Sequence, residues 1–282
     1  MRRKLSILLW QRYFRALERI APERGAARVM QMWRTPSQTS LPPVHIPDLV
    51  GRRHLVPVNG RAVIAEEWGD GPTVYLLHGF GGSRKDFHPL VPILLNAGFR
   101  AVAFDAPAHG ASDPGRLGGR QTVLSEFVDA LFAVIQATGP AFAVVAHSGG
   151  GSSAARAVLD GLPVDRLVLI APMNNLVEHT ARFRLALGYG PRIETGFLNR
   201  LQDEIAAPLD DWNIAGQAGE HQELPPLLVI HDEGDRKVPA ADGMAIAAAW
   251  PQSQLHITAG LSHRRILRDP AVLEAVSTFL SS

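Results

Sequence analysis

The sequence predicts an α/β protein with a mostly parallel sheet, and three observations carry that reading. Short, continuous apolar runs recur along the chain, helical patterns separate them, and one run ends in a serine followed by glycines and a helix. Continuous apolar strands alternating with helices are what a parallel sheet covered on both faces requires.

The elements follow in chain order. Residues 1–34 carry apolar residues at helical spacing (Leu5, Leu9, Tyr13, Leu17, Ile20), which predicts an amphipathic helix. Thr35 to Pro47 is rich in Ser, Thr and Pro and reads as an extended connector, so residues 1–47 form a first segment. His54–Val58 and Ala62–Trp68 flank the turn Asn59-Gly60, a hairpin signal. Six further runs bring the expected strands to eight: Val74–Leu77, Ala101–Phe104, Phe142–Ala146, Leu167–Ile170, Leu227–Ile230 and Gln254–Ile257. Helical segments are expected near 85–97, 120–138, 149–161, 241–250 and 269–280. Between Ile170 and Leu227 no buried strand is evident, and a structureless loop of that length is rare in a compact domain. Residues 174–224 are therefore expected to be a small helical insertion covering one end of the sheet, leaving 48–173 and 225–282 as the two parts of the core.

Composition narrows the function classes. The 282 residues are 46% hydrophobic and 20% charged, which suits a globular protein with a substantial core. The absence of cysteine excludes disulfides, thiolate metal sites and a cysteine nucleophile, and fits a cytoplasmic location. The net charge of +1 conceals an asymmetry: residues 1–34 hold nine Lys/Arg and two Asp/Glu, a balance of +7 against −6 for the remainder. Such a head reads either as a helix packed on the domain with its basic face in water, or as a peripheral contact with an anionic membrane surface. Ile7-Leu8-Leu9-Trp10 is too short for the apolar region of a secretory signal, and no later stretch reaches the length of a membrane span.

The chemistry centres on Phe142-Ala-Val-Val-Ala146-His147-Ser148-Gly149-Gly150. A buried strand running into a serine and then a helix is a tight turn that tolerates only small residues two positions either side, here Ala146 and Gly150. It lifts the Ser148 oxygen clear of the sheet and sets it at a helix N-terminus, where the Gly149 N–H can stabilise an oxyanion. A second oxyanion donor is expected from the Phe80 N–H, in the glycine-bounded loop His78-Gly79-Phe80-Gly81-Gly82 after an earlier strand. Neither glycine run has the spacing of a nucleotide-binding loop, and no cofactor or nucleic-acid partner is expected. His109, His88 and His231 could lie near the mouth of the site, but no H-x-H or H-E-x-x-H spacing supports a metal.

With Phe104-Asp105-Ala106-Pro107-Ala108-His109-Gly110-Ala111-Ser112, these blocks resemble the α/β-hydrolase superfamily, in particular its single-domain bacterial serine hydrolases with a small cap. The resemblance runs through residues 55–173 and 226–281, and Ala108 replaces a glycine usual in the family's pattern. It implies an eight-stranded α/β-hydrolase fold and a Ser-Asp-His chain order. Matched onto His231-Asp232-Glu233-Gly234-Asp235-Arg236-Lys237-Val238-Pro239, the family's acid falls on Asp235; the alternatives are Asp232, at a usual glycine position, and Glu178, just after the preceding strand where some relatives place the acid. Its base falls on His263, in the loop after the last strand, rather than on His256 within the strand.

The expected activity is cleavage of a carboxylic ester or related acyl bond through Ser148, His263 and Asp235, with water resolving an acyl-enzyme. The same triad would also serve an acyltransferase or a C–C bond hydrolase, and a silent binding protein on this scaffold is the rival outside catalysis. His78, His147, Phe183 and Trp212 are the candidates for a substrate pocket, and the apolar residues of the insertion suit a hydrophobic acyl substrate.

Overall fold

The computed structural model describes residues 2–37, 46 and 49–282, with side chains described from Ile7 onward. Most of the expected connector (38–45 and Pro47) and the Leu5 side chain lie outside the described residues. In chain order the first elements are α1 (Arg2–Ile20), α2 (Pro22–Arg34), β1 (Arg52–Val58), β2 (Arg61–Trp68), β3 (Thr73–Leu77), α3 (Val91–Asn96) and β4 (Arg100–Phe104). Then come α4 (Leu124–Thr138), β5 (Ala143–His147), α5 (Gly149–Leu159), β6 (Arg166–Ile170), α6 (Leu176–Leu187) and α7 (Pro191–Ile205). The chain closes with α8 (Ile214–Ala218), β7 (Leu227–Asp232), α9 (Ala240–Ala249), β8 (Ser253–Thr258), α10 (Ser262–Arg265) and α11 (Pro270–Ser281).

The chain divides into two compact units. The larger, residues 36–174 with 214–282, is built on one eight-stranded sheet of order β1-β2-β4-β3-β5-β6-β7-β8. β1 and β2 form an antiparallel hairpin through Asn59-Gly60, β2 runs antiparallel to β4, and the other neighbours are parallel. Side chains alternate between two cores. Tyr75 and Leu77 of β3 join Phe127 and Leu131 of α4 on one face, while Val74 and Leu76 join Leu94 of α3 and Val276 of α11 on the other. Because β3 continues to β4 on one side and neighbours β5 on the other, the strand order reverses there. Open α/β sheets bind ligands outside the carboxyl ends of strands at such a point.

The helical segment expected over 85–97 is divided. A 3₁₀ turn, Arg84–Phe87, precedes α3, because Pro89 interrupts the run and Pro92 belongs to the first turn of the next helix. α4 begins at Leu124 rather than 120, where the Glu126 carboxylate accepts from the Val123 N–H at 3.3 Å and the Arg116 N–H at 2.6 Å.

The smaller unit joins the N-terminal residues through Thr35 to Asn175–Asn213. Residues 214–224 belong to the sheet unit, where Ile214 and Ala218 of α8 are fully buried. The basic head is two helices, since Pro22 starts α2. α2 and α7 cross at close range: a Cβ on Gly25 would stand 2.4 Å from the Ile193 Cδ1, so only glycine fits there without displacing Ile193. Trp33 packs edge-on against Phe183 and Phe197. The Glu18 carboxylate of α1 accepts from the N–H groups of Gly190 (3.1 Å), Arg192 (2.8 Å) and Ile193 (3.1 Å), so it caps α7, a helix without a capping side chain of its own. The apolar positions picked by spacing on α1 fall on two sides: Leu9, Tyr13 and Ile20 are exposed and Leu17 is partly buried, while Phe14, which the spacing passed over, is fully buried with Trp10 partly so. Among the described residues no helix is long and apolar enough to cross a membrane.

Candidate active site

The candidate nucleophile owes its place to a strained turn. β5 delivers the chain to Ser148, whose φ of 54° and ψ of −127° are unusual for a non-glycine residue, and α5 begins at the next residue. The Ser148 N–H donates to the Ile170 carbonyl of β6 at 2.9 Å, which fixes the turn against the sheet. A Cβ on Gly150 would come 2.2 Å from the His78 carbonyl oxygen, a backbone atom, so the second small position admits glycine alone. Ala146 stands at the first, fully buried within the β5 ladder between Leu77 and Leu169.

The loops after β5, β7 and β8 converge on this turn. His263, in α10, has its Nε2 2.9 Å from the Ser148 Oγ and its Nδ1 2.6 Å from the Asp235 Oδ2. Asp235 can only accept when ionised, so Nδ1 carries the proton and Nε2 is left free to accept from the serine hydroxyl. Burial lowers the His263 pKa below the ordinary 6.5, opposed by Asp235, and the imidazole is neutral at neutral pH. Burial alone would raise the Asp235 carboxyl. Hydrogen bonds from His231 and His263 and the Lys237 N–H outweigh it and hold the acid well below the usual carboxylate range. Its other oxygen accepts from the Lys237 N–H at 2.8 Å and the Val238 N–H at 3.1 Å, so the acid's orientation is set by backbone.

Asp232 ties the acid loop to the base loop. Fully buried at the end of β7, its carboxylate accepts from the Leu261 N–H (2.8 Å), the Thr258 hydroxyl (3.1 Å) and the Gly234 N–H (3.1 Å). A glycine in its place would remove all three of these bonds. Ser262, directly before His263, has a φ of 63°, and Asp232 holds the segment in which this left-handed residue lies. Glu178, the alternative acid, sits in the first turn of α6 in the smaller unit, where its N–H donates to the Asn175 side chain. His256 lies within β8 and takes no part in the triad.

The two expected oxyanion donors also come together. Gly149 opens α5, so its N–H is among the helix donors that lack an intrahelical acceptor. A Cβ built on Gly149 would stand 3.9 Å from the Phe80 nitrogen, which brings the two amide-bearing residues side by side. Around Phe80 the neighbouring N–H groups are committed elsewhere: Gly81 to His109 Nε2 (2.8 Å), Gly82 to the Gly79 carbonyl (2.9 Å) and Ser83 to Asp86 (3.1 Å).

The histidines expected near the site prove to be braces. His78 is fully buried; its Nδ1–H donates to the Gly79 carbonyl at 2.8 Å and its Nε2 accepts from the Ala106 N–H at 3.0 Å, tying the loop after β3 to the loop after β4. His109 donates from Nδ1 to the Pro107 carbonyl and accepts the Gly81 N–H, and burial pushes its pKa down to about 3. His147 donates from Nε2 to the His263 carbonyl at 2.7 Å, and burial keeps it neutral. His78 and His147 thus hold the loops and are sealed from solvent rather than lining a pocket. His231 donates to the Val238 carbonyl at 3.1 Å and lies 3.5 Å from the Asp235 carboxylate. His88 packs edge-on against Trp68. Phe183 and Trp212 belong to the smaller unit, Phe183 against Trp33 and Trp212 buried. No group of metal-ligating side chains occurs among the described residues.

Sequence reading missed the buried ion network behind the loop after β3. Arg84 pairs with Glu66 at 2.9 Å and with Asp105, which also accepts from the Arg84 N–H (2.7 Å) and the Ala111 N–H (2.9 Å). Ala108, where the family's pattern has glycine, has a φ of 63°, the left-handed conformation glycine adopts at least cost.

This arrangement of sheet, turn and converging loops defines a class, and comparison with known proteins places the chain in it. The family model described as the alpha/beta hydrolase family matches residues 74–276, and the chain belongs to that family. It is 36% identical over 117 residues to the magnesium-chelatase 30 kDa subunit of Rhodobacter capsulatus, an alignment covering 39% of this chain and 37% of that protein. It is 25% identical over 263 residues to the non-heme chloroperoxidase of Streptomyces lividans, covering 76% of this chain and 94% of the relative. The chain spans less than two thirds of the first curated relatives it matches, human ABHD12B being covered over 60% of its length. Among solved structures, bromoperoxidase from Bacillus anthracis shares the fold with a TM-score of 0.63 at 19% identity, over 82% of this chain and 100% of that one.

Proposed function

We propose that the protein is a serine hydrolase that cleaves a carboxylic ester or related acyl bond. One observation carries the reading: the unbroken hydrogen-bond series from Ser148 Oγ through the His263 ring to Asp235, with lengths of 2.9 and 2.6 Å. In this reading Ser148 Oγ attacks the carbonyl carbon while its proton passes to His263 Nε2, and Asp235 stabilises the imidazolium. The oxyanion is held by the Phe80 and Gly149 N–H groups. Collapse expels the alcohol, which takes the proton from His263. A water, deprotonated by His263, then attacks the acyl-enzyme and releases the acid and the serine.

Turnover of p-nitrophenyl esters of graded acyl length tests the reading. Ser148→Ala is expected to lower kcat by at least about 10⁴-fold with the fold intact by circular dichroism. Undiminished turnover by pure Ser148→Ala protein would overturn it.

A further inference from the structure

The structure shows α1 to be apolar on two sides. Its packed side is Phe14, with Trp10 and Leu17 partly buried. A second ridge, Leu9, Tyr13, Ala16 and Ile20, follows the i, i+4, i+7, i+11 spacing of one helix face and is open to solvent, with Leu9 59% and Ile20 80% exposed. Beside this ridge, at the 100° step of a helix, run Arg12, Arg15 and Arg19, all exposed, with Leu8 among them at 55%. A packed helix that needed only solubility would carry polar residues on this face. The charge adds a direction: residues 1–34 balance at +7 while the rest of the chain is at −6.

We infer that the outward face of α1 docks on an anionic lipid bilayer, lying in the plane of the interface with its apolar ridge at the boundary between headgroups and acyl chains and its arginines against lipid phosphates. An exposed apolar ridge bordered by a basic stripe is the pattern of interfacial helices. The ridge is what separates a bilayer from a nucleic acid, whose phosphates would engage the arginines and leave Leu9 and Ile20 in water. The packed side of α1 remains buried in its own unit, so docking requires no unfolding. This surface is independent of the triad.

The test is flotation of the full chain with vesicles of phosphatidylcholine containing 30% phosphatidylglycerol, and with phosphatidylcholine alone, at low and at high salt. Binding to the anionic vesicles, weakened by salt and near absent on the neutral ones, is expected. Replacing Arg12, Arg15 and Arg19 by Gln should weaken it about a hundredfold, each basic residue near an anionic surface being worth about a factor of five. Leu9→Ser with Ile20→Ser should weaken it about tenfold or more, the thermal midpoint of both variants staying at the parent value because these side chains are exposed. The inference is overturned if the parent fails to float with anionic vesicles. It is equally overturned if the apolar pair binds as tightly as the parent, or if the pair instead abolishes a concentration-dependent dimer.

Discussion

At the scale of single residues, the proposed function separates groups that would react from groups that hold. Three buried histidines are kept neutral by burial and bonded to backbone: His78 and His109 through both ring nitrogens, His147 through Nε2. His263 is the ring whose two nitrogens face a carboxylate and a serine hydroxyl. A base must be neutral to accept a proton, and burial lowers the His263 pKa below 6.5, so the active form persists further into acid than an ordinary histidine would allow. The acid limb of kcat/KM for ester hydrolysis is therefore expected below pH 6.5, activity falling as pH drops through that pKa. A limb above that value would show that the Asp235 carboxylate outweighs burial in setting the ring's pKa.

This division was only half legible in the sequence. The Ser148 turn could be read because it is local: strand, small residue, serine, glycine and helix are contiguous. His263 could be separated from His256 because one follows a strand and the other lies within its pattern. The partners of His78 and His147 could not, since the Ala106 N–H and the His263 carbonyl reach them from 28 and 116 residues away.

At the scale of elements, loops rather than strands set the geometry. Asp232 ends β7 and bonds forward to the segment that carries His263, so it ties the loop of Asp235 to the loop of His263. Removing the carboxylate takes away three part-buried hydrogen bonds to a charged group, each worth about 1 kcal/mol or more. Asp232→Ala is thus expected to lose about 3 kcal/mol or more in urea unfolding, with ester turnover reduced in the fraction that remains folded. An unchanged midpoint and full turnover would show that the loop holds itself. In sequence, Asp232 read as a departure from a glycine pattern, because its partners lie up to 29 residues on.

At the scale of the whole molecule, the chain is a sheet unit and a helical unit, and the helical one is assembled from two distant stretches of sequence. Nothing local announces this. Periodicity finds apolar residues on α1 but cannot rank two apolar sides, and its set mixes the outward Leu9, Tyr13 and Ile20 with the packed Leu17; the packed side is defined by α2, α6 and α7, the last two more than 150 residues away. Glu18 makes the association specific by capping α7 across 172 to 175 residues. Glu18→Ala is expected to cost about 1–2 kcal/mol and to speed amide exchange at Arg192 and Ile193, leaving the strands β3 and β5 protected as before. Equal exchange at those two amides would show that the cap adds nothing.

The central claim is that Ser148 is an activated nucleophile, and a fluorophosphonate probe read by peptide mass spectrometry tests it most directly. The account predicts stoichiometric modification at Ser148, absent in Ser148→Ala and strongly slowed in His263→Ala. An unlabelled parent protein, or a label on another residue, would contradict it.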